Sequence, residues 1–136
     1  MTPAGRARLF AAAAALVTVP LGLGSRRYGH ALPRFVAEYA GDALYATLVF
    51  FLLLFAAPRA SRVRLAVLAF GLSALVEVSQ AWHVAPLEAA RATRLGRLVL
   101  GTTFVWSDLP CYAVGAALGL ALARLVLAPP AVSGGP

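Results

Sequence analysis

Four long apolar runs, separated by arginine-bearing breaks, set the pattern of this chain. The first extends from about Leu9 to Gly24, the second from about Val36 to Ala57, the third from about Val63 to Trp82 and the fourth from about Asp108 to Leu127. Each approaches the about 20 residues that a helix needs to cross a hydrocarbon core about 30 Å thick. The pattern therefore predicts an all-α membrane protein with four transmembrane helices. Residues 1–128 are expected to form one four-helix transmembrane domain, and the proline- and glycine-rich end PPAVSGGP, residues 129–136, a disordered tail. Pro20 predicts a kink or an end for the first span, since proline removes a backbone donor and clashes with the preceding turn. Arg6 and Arg8 ahead of an alanine-rich stretch, with the small residues Gly22 and Gly24 beyond it, also resemble a signal peptide; a retained helix is the favoured reading.

The breaks differ in length. Pro58 to Arg62 is a tight polar turn, so the second and third spans are expected to form an antiparallel hairpin. The connection from His83 to Ser107 is longer. Within it Pro86 suits the first turn of a helix and Gly96 its end, which predicts a short helix PLEAARATRL. The brief apolar run RLVLG that follows is too short to span and reads as an interfacial or re-entrant piece tucked against the bundle.

Composition agrees with a membrane class. The 136 residues are 61% hydrophobic and 12% charged, and the mean hydropathy of +0.82 is too high for a soluble surface of ordinary polarity. The basic residues are all arginine, and the formal net charge is +7. They sit at the ends of apolar runs instead of forming one basic stripe, which argues against nucleic acid as a partner. Cys111 is the single cysteine, rules out an intrachain disulfide and reads as a small core hydrophobe. His30 and His83 have no metal-site spacing, so neither a metal nor another cofactor is expected. Trp82, Trp106 and Tyr112 read as anchors at the membrane interface.

With both termini on one side, that side carries Arg6, Arg8, Arg59, Arg62, Arg64 and Arg124 and no acids. The other side mixes Arg26, Arg27, Arg34, Arg91, Arg94 and Arg97 with Glu38, Asp42, Glu88 and Asp108. Arginine number alone is a tie under the positive-inside rule. The acid-free side is assigned to the cytoplasm, which turns the mixed side outward.

Candidate chemistry lies on that mixed side. Asp42, Glu77 and Asp108 sit inside or at the rim of apolar runs, where a carboxylate costs roughly 3 kcal/mol at a helix centre and is usually paired, solvated or functional. The up-and-down order brings Arg26, Asp42, Glu77, Gln80, Arg91, Arg94 and Asp108 to one membrane face. Ser73, Glu77 and Gln80 follow i, i+4 and i, i+3 spacing and share a helical face. Arg91 and Arg94 are neighbours on the predicted short helix, and either guanidinium suits the Glu77 carboxylate or a phosphate. Glu77 and Asp108 are the catalytic candidates; Arg91, Arg94, Gln80, Asp42 and Arg26 are the ligand-binding candidates. The plainer alternative is a buried Glu–Arg pair that fixes a loop on the bundle. Gly115 and Gly119 form a small-residue seam that permits close helix contact, either inside the bundle or between copies in a homo-oligomer. GDALYA and SDLPCYA also look like an internal repeat, each an acid-led helix start after an arginine-containing loop.

The stretches GLGSRRYGHALPRFVAEYAGDALYATLVF, EVSQAWHVAPLEAARATRLGRLVLG and FVWSDLPCYAVGAALG resemble an uncharacterised bacterial domain-of-unknown-function family of small four-helix membrane proteins. Members are sometimes named a ribosomal maturation YjgA family, a label that implies a soluble ribosome-associated factor and conflicts with this composition. A wider resemblance is to VanZ-like proteins, linked to glycopeptide-antibiotic tolerance at the cell envelope. Glu77 and Gln80 resemble their Glu-x-x-Gln, Arg91 or Arg94 their following arginine, and Asp108, Gly115 and Gly119 their Asp and spaced glycines. Tyr112 stands where that pattern usually has Asn, and the connector before Asp108 is longer. These resemblances imply residues and the cell-envelope compartment, hence the bacterial inner membrane. From the cluster itself the expected partner is a membrane lipid, with Arg91 and Arg94 holding an anionic headgroup or polyprenyl phosphate at the outward-facing site and Glu77, Gln80 and Asp108 positioning them. The alternatives are a membrane enzyme of lipid or cell-wall-precursor metabolism and a non-catalytic packing subunit.

Overall fold

The computed structural model describes residues 1–81, 84–100 and 106–127. Among these residues it is entirely helical: α1 (Pro3–Arg27), a 3-10 turn at Gly29–Ala31, α2 (Arg34–Ala56), α3 (Arg62–Ser79), α4 (Ala85–Arg91), α5 (Arg94–Leu100) and α6 (Asp108–Leu127). α1, α2 and α6 are each long and apolar enough to cross a membrane. α3 has 18 residues, about 27 Å at about 1.5 Å per residue, and carries Arg62, Arg64 and Glu77 within them. It is as long as the shortest span requires, and it is these three charges that set it apart from the three helices that qualify.

Local chemistry explains the helix starts. The Thr2 hydroxyl accepts from the Gly5 amide at 2.9 Å, and Pro3 occupies the first turn of α1, where its missing N–H is not needed. Ser61 caps α3 by accepting from the Arg64 amide. Of the kink or end expected at Pro20, the end is not found: α1 runs on through Pro20 to Arg27. Proline is tolerated inside a membrane helix, where packing against neighbours compensates for the lost bond to the carbonyl four residues back; one turn earlier the Thr18 hydroxyl bonds back to Ala14 O at 2.7 Å.

α2 is the centre of the bundle, packing on α1, α3 and α6, while α3 also packs on α6. The core forms where Phe50, Phe51 and Leu54 of α2 meet Leu65 and Ala69 of α3, Ala116 and Ala123 of α6, and Ala7 and Ala11 of α1. Phe10 meets Phe51 edge-on at 5.6 Å between centroids. The outward faces are also apolar: Leu16, Val67 and Leu125 are exposed. A water-soluble surface would not normally present so much contiguous hydrocarbon, whereas lipid accepts it.

The expected α2–α3 hairpin is present. Arg62 Nη1 donates to Pro58 O at 2.7 Å across the turn, and Arg8 Nε donates to Phe55 O at 3.2 Å, tying the start of α1 to the same end.

The seam of small residues on α6 faces α2. A Cβ on Gly115 would lie 1.9 Å from Ala43 O, and one on Gly119 would lie 2.7 Å from Phe50 Cδ1. Close approach lets the Thr47 hydroxyl of α2 donate to Gly115 O at 2.7 Å. Of the two uses open to this seam, the contact within the bundle is the one present in the chain.

The connector differs from expectation. In place of one helix ending at Gly96 there are two, α4 and α5, with the turn at Ala92 and Thr93. The Thr93 hydroxyl accepts from the Gly96 amide at 2.9 Å, which starts α5 in the manner of a cap. Gly96 is inside α5 because a Cβ there would sit 1.6 Å from Ala90 O. It is needed for the close corner between helices, not as a stop signal. The apolar run Arg97–Leu100 is correspondingly helical. Trp82, His83 and the expected tail at 129–136 lie outside the described residues.

Candidate functional site

At the end opposite the α2–α3 turn, polar side chains from the helices converge on a cavity of about 230 Å³. α3 supplies its inner wall. Ser73, Glu77 and Gln80 are all buried, as their shared helical face requires, and Glu77 is wholly so. Glu77 Oε2 accepts a 2.7 Å hydrogen bond from the Tyr112 phenol of α6. Gln80 Nε2 donates to Leu100 O at 2.7 Å and so pins the end of α5 to the end of α3.

α2 and α6 contribute the other two acids. Asp108 opens α6, where the positive end of the helix dipole favours an acid. Its carboxyl lines the cavity together with those of Asp42 and Glu77. Neighbouring carboxylates repel, so a cluster of three in a water-poor wall calls for cations nearby. Arg26 supplies one cation, its Nη2 3.8 Å from Asp42 Oδ1. It can lie across α2 because residue 41 is glycine; a Cβ there would stand 3.1 Å from Arg26 Nε. Arg97 of α5 supplies a second cation on the cavity wall.

The two arginines singled out in the connector are placed elsewhere. Arg91 is buried, donating through Nη2 to Ser79 O at 2.5 Å and through Nη1 to Glu88 Oε1 at 3.1 Å. It ties α4 to the end of α3 and does not line the cavity. Arg94 begins α5 on the exposed surface, beyond the corner, and is not a lining residue either. The structure thus brings together Arg26, Asp42, Glu77, Gln80 and Asp108, and separates Arg91 and Arg94 from them. Cys111 donates to Ser107 O at 3.4 Å and is only partly buried.

Three polar residues of the cavity, Tyr112, Tyr45 and Arg97, lay outside the sequence-based candidates. Tyr112 is 4% exposed and turned into the bundle, a correction to its expected role as an interfacial anchor, whereas Trp106 is 75% exposed. Tyr45 stands opposite Tyr112, with ring centroids 6.0 Å apart. A signal for both existed in the spacing: Tyr45 follows Asp42 by three positions and Tyr112 follows Asp108 by four, which puts each tyrosine on its acid's helical face. Arg97 had no such signal, because its place follows from the corner at Thr93. Among the described residues no three His, Cys, Asp or Glu side chains are grouped as a metal ion requires.

A family model described as a protein of unknown function (DUF2809) matches residues 31–116, which include α2, α3, both connector helices and the start of α6. The match supports the uncharacterised family and gives no support to the YjgA name or to a VanZ-like relationship. No solved structure matches the chain.

Proposed function

We propose that this chain, which belongs to the DUF2809 family of proteins of unknown function, is a four-span protein of the bacterial inner membrane that binds the phosphate-bearing headgroup of a membrane amphiphile. The observation that carries this reading is the polar cavity at one end of an otherwise apolar bundle, with Arg26 and Arg97 on its wall beside three acids. Polar groups inside a membrane bundle are expensive to retain, and they commonly mark the path or seat of a polar ligand. The planar guanidinium fork suits phosphate oxygens, and the 3.8 Å Arg26–Asp42 contact is long enough to leave Arg26 donors for a ligand. Asp108, Glu77 and Gln80 shape the seat, while Arg91 braces α4.

Native mass spectrometry in mild detergent, with phosphatidylglycerol and phosphatidylethanolamine as probes, tests the reading. Arg97→Ala removes an exposed side chain and is expected to lower bound phospholipid roughly fivefold at unchanged melting, since a charge-assisted contact is lost. Arg91→Ala is expected to do the reverse, lowering thermal stability and sparing lipid occupancy. Equal lipid occupancy in wild type and Arg97→Ala would overturn the phosphate seat.

For α3 to be the fourth span, its two ends must lie on opposite sides of the membrane. Arg62 and Arg64 would then snorkel at the cytoplasmic surface, and the acid-free end with both termini would face the cytoplasm. In a Cys111→Ser background, Ser61→Cys is expected to react with an impermeant thiol reagent only from the cytoplasmic side, and Ala92→Cys only from outside. Labelling of both from one side would reject the four-span arrangement.

One observation favours a second reading, an enzyme of lipid or cell-wall-precursor metabolism. Asp42, Asp108 and Glu77 line the same cavity, Glu77 bonded to the Tyr112 phenol, and carboxyls gathered in one cavity are common acid–base machinery. Turnover of a bound phospholipid that disappears in Asp108→Asn, with binding intact, would favour it.

A further inference from the structure

Beside the polar cavity lies an apolar groove of about 140 Å³ between α1 and α2. The two adjoin. Arg26, Tyr45, Leu98 and Val99 line both, so no other layer of protein stands between them. From this shared rim the groove follows α1 past Leu23, Gly22 and Thr18 and α2 past Leu44 and Leu48, toward the middle of the bundle. Its walls are hydrocarbon almost throughout, whereas the cavity's are charged and hydrogen-bonding.

We infer that the groove holds one hydrocarbon chain of the same amphiphile whose phosphate-bearing head occupies the cavity, so that the ligand enters sideways from the bilayer between α1 and α5. The inference rests on the head-binding reading above and adds the path of the tail. A free phosphate or a soluble phosphate ester fills the cavity alone and leaves the groove to unrelated lipid. An amphiphile joins the two compartments through the rim they share, satisfying the guanidiniums of Arg26 and Arg97 at one end and the leucine-lined walls at the other. Gly22 keeps the groove open: a Cβ there would meet only Leu44 Cβ, at 3.9 Å. A larger side chain is accommodated by the backbone and projects into the tail's path.

The test uses dodecyl phosphate carrying a photoreactive diazirine in its chain, with inorganic phosphate as competitor, and maps crosslinks by mass spectrometry. Wild type is expected to crosslink at Leu23, Leu44 and Leu48 above the level at lipid-facing Leu125. Arg97→Ala is expected to lower groove labelling roughly fivefold, because the head loses its anchor. Gly22→Leu should fold, since leucine is the better helix former, and melting confirms this. It is expected to abolish the excess of groove over Leu125 labelling, while native mass spectrometry still detects headgroup-dependent occupancy sensitive to inorganic phosphate.

The outcomes separate the two claims. Arg97-dependent occupancy without enriched groove labelling rejects the tail path and leaves the head site standing. Groove labelling that is equal in wild type and Arg97→Ala identifies ordinary boundary lipid and rejects the tail path. Occupancy that is independent of Arg97 rejects the head site, and the tail path with it. Occupancy displaced equally by inorganic phosphate, with groove labelling no higher than at Leu125, identifies a free-phosphate site and rejects the tail path.

Discussion

Glu77→Ala is expected to destabilise the bundle by roughly 3 kcal/mol, because it removes the acceptor of a buried hydrogen bond and opens a void in the same step. Glu77 is wholly buried, and its Oε2 accepts a hydrogen bond from the Tyr112 phenol at 2.7 Å. Without it the buried phenol loses the acceptor that it has in the native bundle. Glu77→Gln keeps an oxygen at nearly the same position and should lose less than half as much. Tyr112→Phe removes the donor and is expected to fall between wild type and Glu77→Ala. In a double-mutant cycle of Glu77→Gln with Tyr112→Phe the two changes should couple by about 1 kcal/mol, as contacting residues do. Thermal melting in one detergent reads wild type and all four variants. Wild-type melting in Glu77→Ala would mean that the carboxylate is solvated and that the α3–α6 contact is held by packing alone.

Gly115→Ala should be about as damaging, near 3 kcal/mol, at the upper end for added methyl groups in a packed core. The new Cβ would overlap Ala43 O, and a carbonyl embedded in α2 cannot rotate away as a side chain can. The helices must separate, which also breaks the 2.7 Å bond from Thr47 to Gly115 O. Gly119→Ala meets the Phe50 ring instead, which has some freedom to tilt, so a smaller loss is expected. Gly71→Ala on α3 supplies the contrast. Nothing lies within 4 Å of a Cβ there, and the change should be neutral or stabilising by about 0.5 kcal/mol through reduced freedom of the unfolded chain. If Gly115→Ala melted like Gly71→Ala, the close α2–α6 approach would not exist.

Much of this fold is legible along the chain, for a reason that is local. Whether a segment suits hydrocarbon depends on its own summed hydropathy and length, so α2 and α6 could be placed from the sequence to within about two residues, while α1 begins at Pro3, ahead of the expected Leu9. The α2–α3 hairpin follows from a connection too short for any other arrangement. The up-and-down order then brings the ends that carry Arg26, Asp42, Glu77 and Asp108 to one face, and their meeting in one cavity follows from that order.

Helix rotation and the corner in the connector were decided only in three dimensions. A helix that is apolar nearly all round has no stripe from which its inward face can be read. For α6 that face is chosen by Gly115 and Gly119 fitting against α2, and this choice carries Tyr112 inward to Glu77. In the connector, helix propensity is continuous from Pro86 to Leu95, but the Thr93 hydroxyl and the Ala90 carbonyl against Gly96 favour a corner. That corner sends Arg97, and not Arg94, to the cavity, and leaves Arg91 holding Ser79 O. The sequence by itself therefore determined that acids and arginines would share one end of an apolar bundle, because segment order and hydropathy suffice for that. Which arginine meets which acid was decided by tertiary packing, because it depends on backbone distances between segments far apart in the chain.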